Sequence, residues 1–391
     1  MVRIEDSVIT AQILQEKVGT DQQVEICPRA KLTPSAHDLL RDRSIEVFRR
    51  EASHDGSETF RNSSSKKSSR SVNKRDFSGV FCPNIVIFDE HDKINYGEME
   101  RYINWLIDAG IHGLYPNGST GEFVRLSWEE RQEVVRLITE VNAGRVPILA
   151  GASEANLRDV MRMADFYANI GVDAISLVPP FYYKISDESL FQYFAEIAEQ
   201  SPLDILLYNI PQFTQELPLE LMERLLPYER IFGTKDSSRD LPRLINTMHR
   251  LRAQRPDYVV LVGCEEILFP SILMGASGGT IATSGIVPEV IVDLYNKAFE
   301  GDIENARILQ YRILDLINMM LLGVNFPEGF KTGVAVRGFD VGPSRTSSTD
   351  EEREYLFKIE SQIGCILSDM GYSVRGARAC PVTNMPPIVG R

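Results

Sequence analysis

Eight short apolar runs, spaced at regular intervals and separated by stretches of helical period, dominate the chain after residue 76. In order they are "GVFCPNIVIF", "GLYP", "VPILAG", "DAISLVPP", "DILLYNIP", "IFGTKDS", "YVVLVG" and "GGTIAT". The segments between them, among them "EMERYINWLIDAG", "SWEERQEVVRLITEVNAG" and "NLRDVMRMADFYANIG", carry apolar residues three and four apart, as a helix with one buried face requires. A strand-like run followed by an amphipathic helix, eight times over, is the pattern of an α/β protein of the (β/α)8 or TIM-barrel type. A doubly wound open sheet is the competing layout, but no Gly-x-Gly-x-x-Gly follows the first run. The pattern predicts a barrel over 76–300, a further helical layer over 301–373 that ends in "TDEEREYLFKIESQIGCILSDMG", and a tail over 374–391.

The part before the barrel has a different texture. Residues 53–75, "SHDGSETFRNSSSKKSSRSVNKR", are polar and serine-rich, which predicts a flexible linker. In residues 1–52, Thr33 is placed to cap a helix that has Pro34 at its first position, and Leu39, Leu40, Ile45 and Val47 supply an apolar side. So short a segment is expected to bury little core alone, which leaves a docking peptide or a decorative extension as its two readings. The stretch "KLTPSAHDLLRDRSIEV" resembles the Thr-Pro-Ser-Ala-type stretch of some proteins linked to bacterial microcompartments and the subunit-binding module of acyltransferase complexes. Both resemblances imply docking to a protein assembly.

Charge and cysteine usage narrow the class of function. A net charge of -13 argues against nucleic acid or an anionic membrane surface as partner, since both require a basic face. No apolar run is long enough to cross a bilayer. The 5 cysteines (Cys27, Cys82, Cys264, Cys365, Cys380) contain no Cys-x-x-Cys pair, which fits a reducing compartment better than a disulfide scaffold. The opening "MVRIEDSVIT" has no apolar signal core, so the expected location is the cytoplasm. The histidines (His37, His54, His91, His112, His249) include no pair at ligand spacing, and neither a metal nor a cofactor is expected.

In a barrel of this type chemistry sits at the C-terminal ends of the strands. Lys235 ends the sixth run in "GTKDSS", Tyr208 the fifth in "LYNIP", and Ser119 and Thr120 follow the second in "YPNGSTGEF". The bland reading of a strand-end lysine is that it snorkels to water along its methylenes. Taken alone, Tyr208 reads as core and the glycine-rich loop as a turn. Three strands sending polar groups to one mouth outweigh those separate readings. With Gly118 and Gly121 the loop can expose backbone N–H groups beside two hydroxyls, a cradle for a carboxylate.

These motifs, in this order and on these strands, resemble the dihydrodipicolinate synthase and N-acetylneuraminate lyase family of Schiff-base class I aldolases. The resemblance spans about Phe77 to Tyr372. It implies that Lys235 forms an imine with a 2-oxo acid such as pyruvate, that Tyr208 shuttles protons, that Ser119 hydrogen-bonds that tyrosine and that Thr120 holds the carboxylate. It also implies that Tyr182 of "PPFYYKIS" reaches into a neighbouring subunit's site, in a homo-oligomer built as a dimer of dimers. Desolvation at a strand end is expected to favour the free amine that attack on a carbonyl requires.

Departures from the family pattern bear on the substrate. The synthases carry an arginine two residues after the proline of "YNxP" to grip the aldehyde's carboxylate, and this chain has Phe213. Gly263, Glu265 and Glu266 align with residues that hold substrate hydroxyls in sialic acid lyases, although the two carboxylates equally suit the start of a helix. A serine that helps bind sialic acid corresponds to Ala282, while Thr280, Thr283 and Ser284 offer other hydroxyls. "PPFYYKIS" and "TKDSS" look more like aldolases of 2-keto-3-deoxy sugar acids, cleaved to pyruvate and an aldehyde. Dihydrodipicolinate synthase, a dehydratase or deaminase on the same scaffold, and a non-catalytic pyruvate-binding scaffold subunit are the alternatives.

Overall fold

The computed structural model describes residues 2–4, 8–9, 11–18, 22–26, 31–49, 76–323 and 325–374. It divides into two compact units, Met1–Asp76 and Phe77–Arg391. The expected linker, 53–75, and all but the first residue of the expected tail, 374–391, lie outside the described residues.

The first unit is a small α/β structure in its own right. Its elements are β1 (Val2–Ile4), β2 (Val8–Ile9), α1 (Ala11–Val18), β3 (Gln23–Ile26), β4 (Lys31–Leu32), α2 (Pro34–Asp42) and β5 (Glu46–Arg49). Strand β3 lies between β1 and β5, all parallel, and β2 pairs in parallel with β4. The unit β2-α1-β3 is thus repeated as β4-α2-β5. Ile9 pairs with Leu32 and Val24 with Val47, the same step along the chain in both cases. As expected, Thr33 caps α2, its hydroxyl accepting the Ala36 N–H at 3.3 Å, with Pro34 in the first turn. Small as it is, the unit has a buried cluster of its own, in which Ile9, Leu14, Val24, Leu32, Leu40 and Ile45 close on one another. One copy alone could not bury its apolar face, whereas two copies can.

The second unit is a (β/α)8 barrel. Its strands are β6 (Gly79–Cys82), β7 (Gly113–Leu114), β8 (Leu149–Gly151), β9 (Ala174–Leu177), β10 (Asp204–Asn209), β11 (Ile231–Asp236), β12 (Val259–Val262) and β13 (Gly278–Thr280). All neighbours are parallel, β13 pairs back onto β6, and a parallel bridge between Leu114 and Ile148 joins the two ends of the ring. Phe81, Tyr115, Leu149, Leu206, Phe232 and Leu261 fill the interior with Phe77. Phe81 needs Gly113 beside it, since a Cβ there would lie 2.2 Å from its ring.

Around the strands run α3 (Tyr96–Asp108), α4 (Trp128–Asn142), α5 (Leu157–Ile170), α6 (Asp187–Gln200), α7 (Leu219–Leu225), α8 (Leu241–Gln254), α9 (Leu268–Leu273) and α10 (Pro288–Glu300). The added layer is α11 (Ile303–Leu321), α12 (Glu328–Val336) and α13 (Asp350–Asp369). Local signals set these bounds. Ser127 and Glu130 form a capping box that starts α4, Gly301 ends α10 at φ 84°, and Thr349 and Glu352 cap α13 reciprocally. Cys82 and Cys264 are buried free thiols. Among the described residues no helix is long and apolar enough to cross a membrane.

Candidate active site

Lys235 reaches the barrel interior through an irregularity in the sheet. Ile205 pairs with Ile231, but Leu206 pairs with Gly233, so Phe232 is an extra residue on β11. Strict alternation from the outward Ile231 would turn Lys235 outward. The bulge shifts the phase by one, and Lys235 then shares a face with Tyr208 on β10 and with the interior Leu261 on β12. The lysine is 4% exposed. Its Nζ lies 4.0 Å from the centre of the Tyr208 ring and 4.7 Å from that of Tyr115.

A cavity of about 240 Å³ opens above this lysine. Its lining includes Tyr208, Ser119, Thr120, Gly263, Glu265 and Thr280. Two buried hydroxyls in the lining, those of Ser237 and Thr280, have no hydrogen-bond partner among the described residues. Buried hydroxyls without partners are costly and are suited to an incoming polar group. Gly263 leaves room for the nucleophile, because a Cβ would fall 2.8 Å from Lys235 Cε and 2.0 Å from Ser237 Oγ.

The glycine-rich loop is fixed from behind. Gly118 lies against Tyr115, whose ring would be 2.5 Å from a Cβ at that position. Asn117 and Glu122 take left-handed conformations, with φ of 54° and 56°. Glu122 is buried and pairs with Lys331 of α12 at 3.0 Å and with Arg125 at 2.8 Å. The Tyr115 hydroxyl donates to Ser176 Oγ at 2.7 Å, and burial, with Tyr208 nearby, pushes its phenol above the ordinary tyrosine range.

The loops after β12 and β13 are joined by Glu265. Its Oε1 accepts the Thr283 N–H at 2.8 Å and the Thr283 hydroxyl at 2.9 Å, and its own carbonyl accepts from Gln310 at 2.8 Å. Burial pushes this carboxyl above the usual carboxylate range. Cys264 also lines the cavity, but burial, aided by the adjacent Glu265, pushes its thiol up to about 12, so it is no thiolate at neutral pH.

Of the residues nominated from sequence, the structure brings Lys235, Tyr208, Ser119, Thr120, Gly263, Glu265 and Thr280 to one cavity. Gly118 shapes the loop beneath it. Glu266 is not part of the lining, and its carboxylate pairs with Arg239 at 3.0 Å. Tyr182 is also not part of the lining, being 90% exposed at φ 81° with its ring edge-on to Tyr183. Sequence reasoning missed Tyr115 and Ser237, which lie within the quoted "YPNGSTGEF" and "GTKDSS", Arg239 just after the latter, and also Phe326 and Phe330, which arrive from the C-terminal layer. A second cavity, about 250 Å³, is lined by Glu289, Asp293, Arg312 and Tyr372 and contains no nucleophile near a proton carrier. Among the described residues no three His, Cys, Asp or Glu side chains cluster in a way that could hold a metal ion.

Residues 76–364 match the Dihydrodipicolinate synthetase family. An uncharacterized DapA-like lyase of Thermofilum pendens is 31% identical over 76% of this chain and 99% of its own length. A 4-hydroxy-tetrahydrodipicolinate synthase of Methanopyrus kandleri is 31% identical over 71% of this chain and 93% of its own. Among solved structures, YagE from E. coli K12, a prophage protein of the dihydrodipicolinic acid synthase family in complex with pyruvate, superposes with a TM-score of 0.70. It is 28% identical and covers 75% of this chain and 99% of its own. The chain therefore belongs to the dihydrodipicolinate synthetase family, whose members are class I pyruvate-dependent lyases.

Proposed function

We propose that Lys235 captures the ketone of a 2-oxo acid as an imine and that the enzyme cleaves, or forms, the bond between carbons three and four of that acid. The observation that carries this reading is the buried Lys235 Nζ, 4.0 Å from the Tyr208 ring, in a cavity that also presents Ser119 and Thr120. The free amine adds to the ketone carbon and water leaves. The resulting iminium accepts the electron pair when the bond between carbons three and four breaks. Tyr208 takes the proton from the hydroxyl on carbon four, which becomes the carbonyl of the departing aldehyde. The enamine then takes a proton at carbon three, and hydrolysis returns the amine and releases pyruvate. Thr120 and the backbone N–H groups of the glycine-rich loop are the proposed cradle for the substrate carboxylate, and Ser119 the proposed relay from Tyr208.

The synthase reading has less support. A guanidinium for the aldehyde's carboxylate is missing where Phe213 stands, and the Arg239 that lines the same cavity is already paired with Glu266. The narrower class expected from sequence, 2-keto-3-deoxy sugar acids, calls for hydroxyl-holding groups beyond carbon four. Of those proposed for it, Glu265 and Thr280 face the cavity and Glu266 does not. The proposal also includes a homo-oligomer in which the exposed Tyr182 serves a neighbouring copy.

Borohydride added with pyruvate is expected to leave a stable mass increase on the peptide that contains Lys235, and none on a Lys235→Arg protein. Turnover by that variant, or an adduct on another lysine, contradicts the assignment. Scoring pyruvate, water and ammonia separately over a panel of 2-oxo acids divides aldolase from dehydratase and deaminase.

A further inference from the structure

Polarity is graded along the cavity. Its deep end carries Lys235, Ser237 and Thr280, which are 4%, 6% and 1% exposed. Its outer end is walled by Phe213, Leu321 and Phe326, which are 56%, 39% and 37% exposed, with Ile210, Ile317 and Phe330 beside them. Phe326 bridges the wall, its ring 5.8 Å from that of Phe213 and 5.6 Å from that of Phe330. Of these six groups Ile317, Leu321 and Phe330 come from helices α11 and α12 of the C-terminal layer, and Phe326 from the segment between them.

The polar groups near that wall are already engaged. Gln212 donates to the Ser237 carbonyl at 3.0 Å, Arg239 donates to Glu266 at 3.0 Å, and Glu265 accepts from Thr283 at 2.8 Å. A second substrate carboxylate would meet an arginine whose charge is answered by Glu266, with Glu265 next to it. A polyhydroxylated chain would place its hydroxyls against phenyl and alkyl surface. A neutral apolar group of ring size meets neither cost and covers surface that otherwise faces water.

Resting on the Schiff-base reading above, we infer that the group beyond carbon four of the substrate is neutral and apolar, of aromatic size, and that Phe213, Leu321 and Phe326 select it. The aldehyde half is then an aromatic or bulky aliphatic aldehyde, and the deep polar end recognises the pyruvate half.

The test is aldol addition of pyruvate to benzaldehyde and to glyceraldehyde by the full chain, compared as kcat/KM. The expected result is a preference of tenfold or more for benzaldehyde. That preference is expected to fall about tenfold in Phe213→Ser and again in Leu321→Ser, the weight of one lost aromatic or aliphatic contact. Partial misfolding scales both aldehydes together and leaves the ratio unchanged, and two variants at separate exposed positions guard against a failure of either. A native preference for glyceraldehyde, or a ratio that neither substitution moves, overturns the inference. Borohydride trapping with pyruvate alone does not involve the distal half. If trapping at Lys235 succeeds while benzaldehyde is not used, the distal assignment fails alone. If trapping fails, the nucleophile assignment fails and takes the distal assignment with it.

Discussion

Gly263 shows how much of a catalytic lysine's placement depends on a neighbour with no side chain. The amine must pass Gly263 to stand against Tyr208, and a Cβ 2.8 Å from Lys235 Cε would force the lysine to move. Gly263→Ala is therefore expected to leave the barrel folded and to lower kcat by about 100-fold, as displacements of about an ångström do at reacting centres. Steady-state kinetics together with circular dichroism check this, and a folded Gly263→Ala enzyme of native kcat contradicts it. The sequence aligned Gly263 with a substrate-holding position, yet its closest neighbours in space are the nucleophile and Ser237. Glu265 and Glu266 divide in a similar way. Adjacent in sequence and chemically alike, one faces the cavity and binds Thr283 while the other pairs with Arg239. A run of two acids does not say which will turn inward.

Between elements, the contact with the greatest consequence is the ion pair of Lys331 on α12 with Glu122 behind the glycine-rich loop. Both side chains are nearly free of solvent contact, at 2% and 0% exposed. Removing Lys331 leaves the buried Glu122 carboxylate with Arg125 alone, 2.8 Å away. Lys331→Met is expected to lower the unfolding free energy by about 1–3 kcal/mol. Adding Glu122→Gln to it should recover part of that loss, because no buried carboxylate is then left short of a partner. Urea unfolding of the two single variants and the double variant measures the coupling, and a strictly additive loss argues against it. Because Glu122 N–H donates to the Ser119 carbonyl at 3.0 Å, the same pair steadies the loop that carries the proposed relay. Nothing in "FPEGFKTGV" signals this role, since a lysine in an amphipathic helix reads as a solvated residue until another element packs over it.

At the scale of the whole molecule, Tyr182 is the residue whose role a single copy leaves open: 90% exposed, backbone in the left-handed region, outside its own chain's cavity. If it serves a neighbour, mixing Tyr182→Ala chains with Lys235→Arg chains should restore about a quarter of native activity, since hybrids join an intact lysine to an intact tyrosine. No gain on mixing places the tyrosine's function elsewhere. By itself the sequence determined the alternation of strand and helix, hence the barrel, because apolar period is a local property that every element of the fold repeats. It also gave the order in which Ser119, Thr120, Tyr208 and Lys235 arrive at the mouth. Three features were left to the tertiary structure: the extra residue in β11 that turns Lys235 inward, the C-terminal aromatic wall over the cavity, and the pairing of two repeated βαβ units in the first 49 residues. Each depends on which strand register or which distant helix gains most by packing, and that energy exists only once separate parts of the chain are in contact.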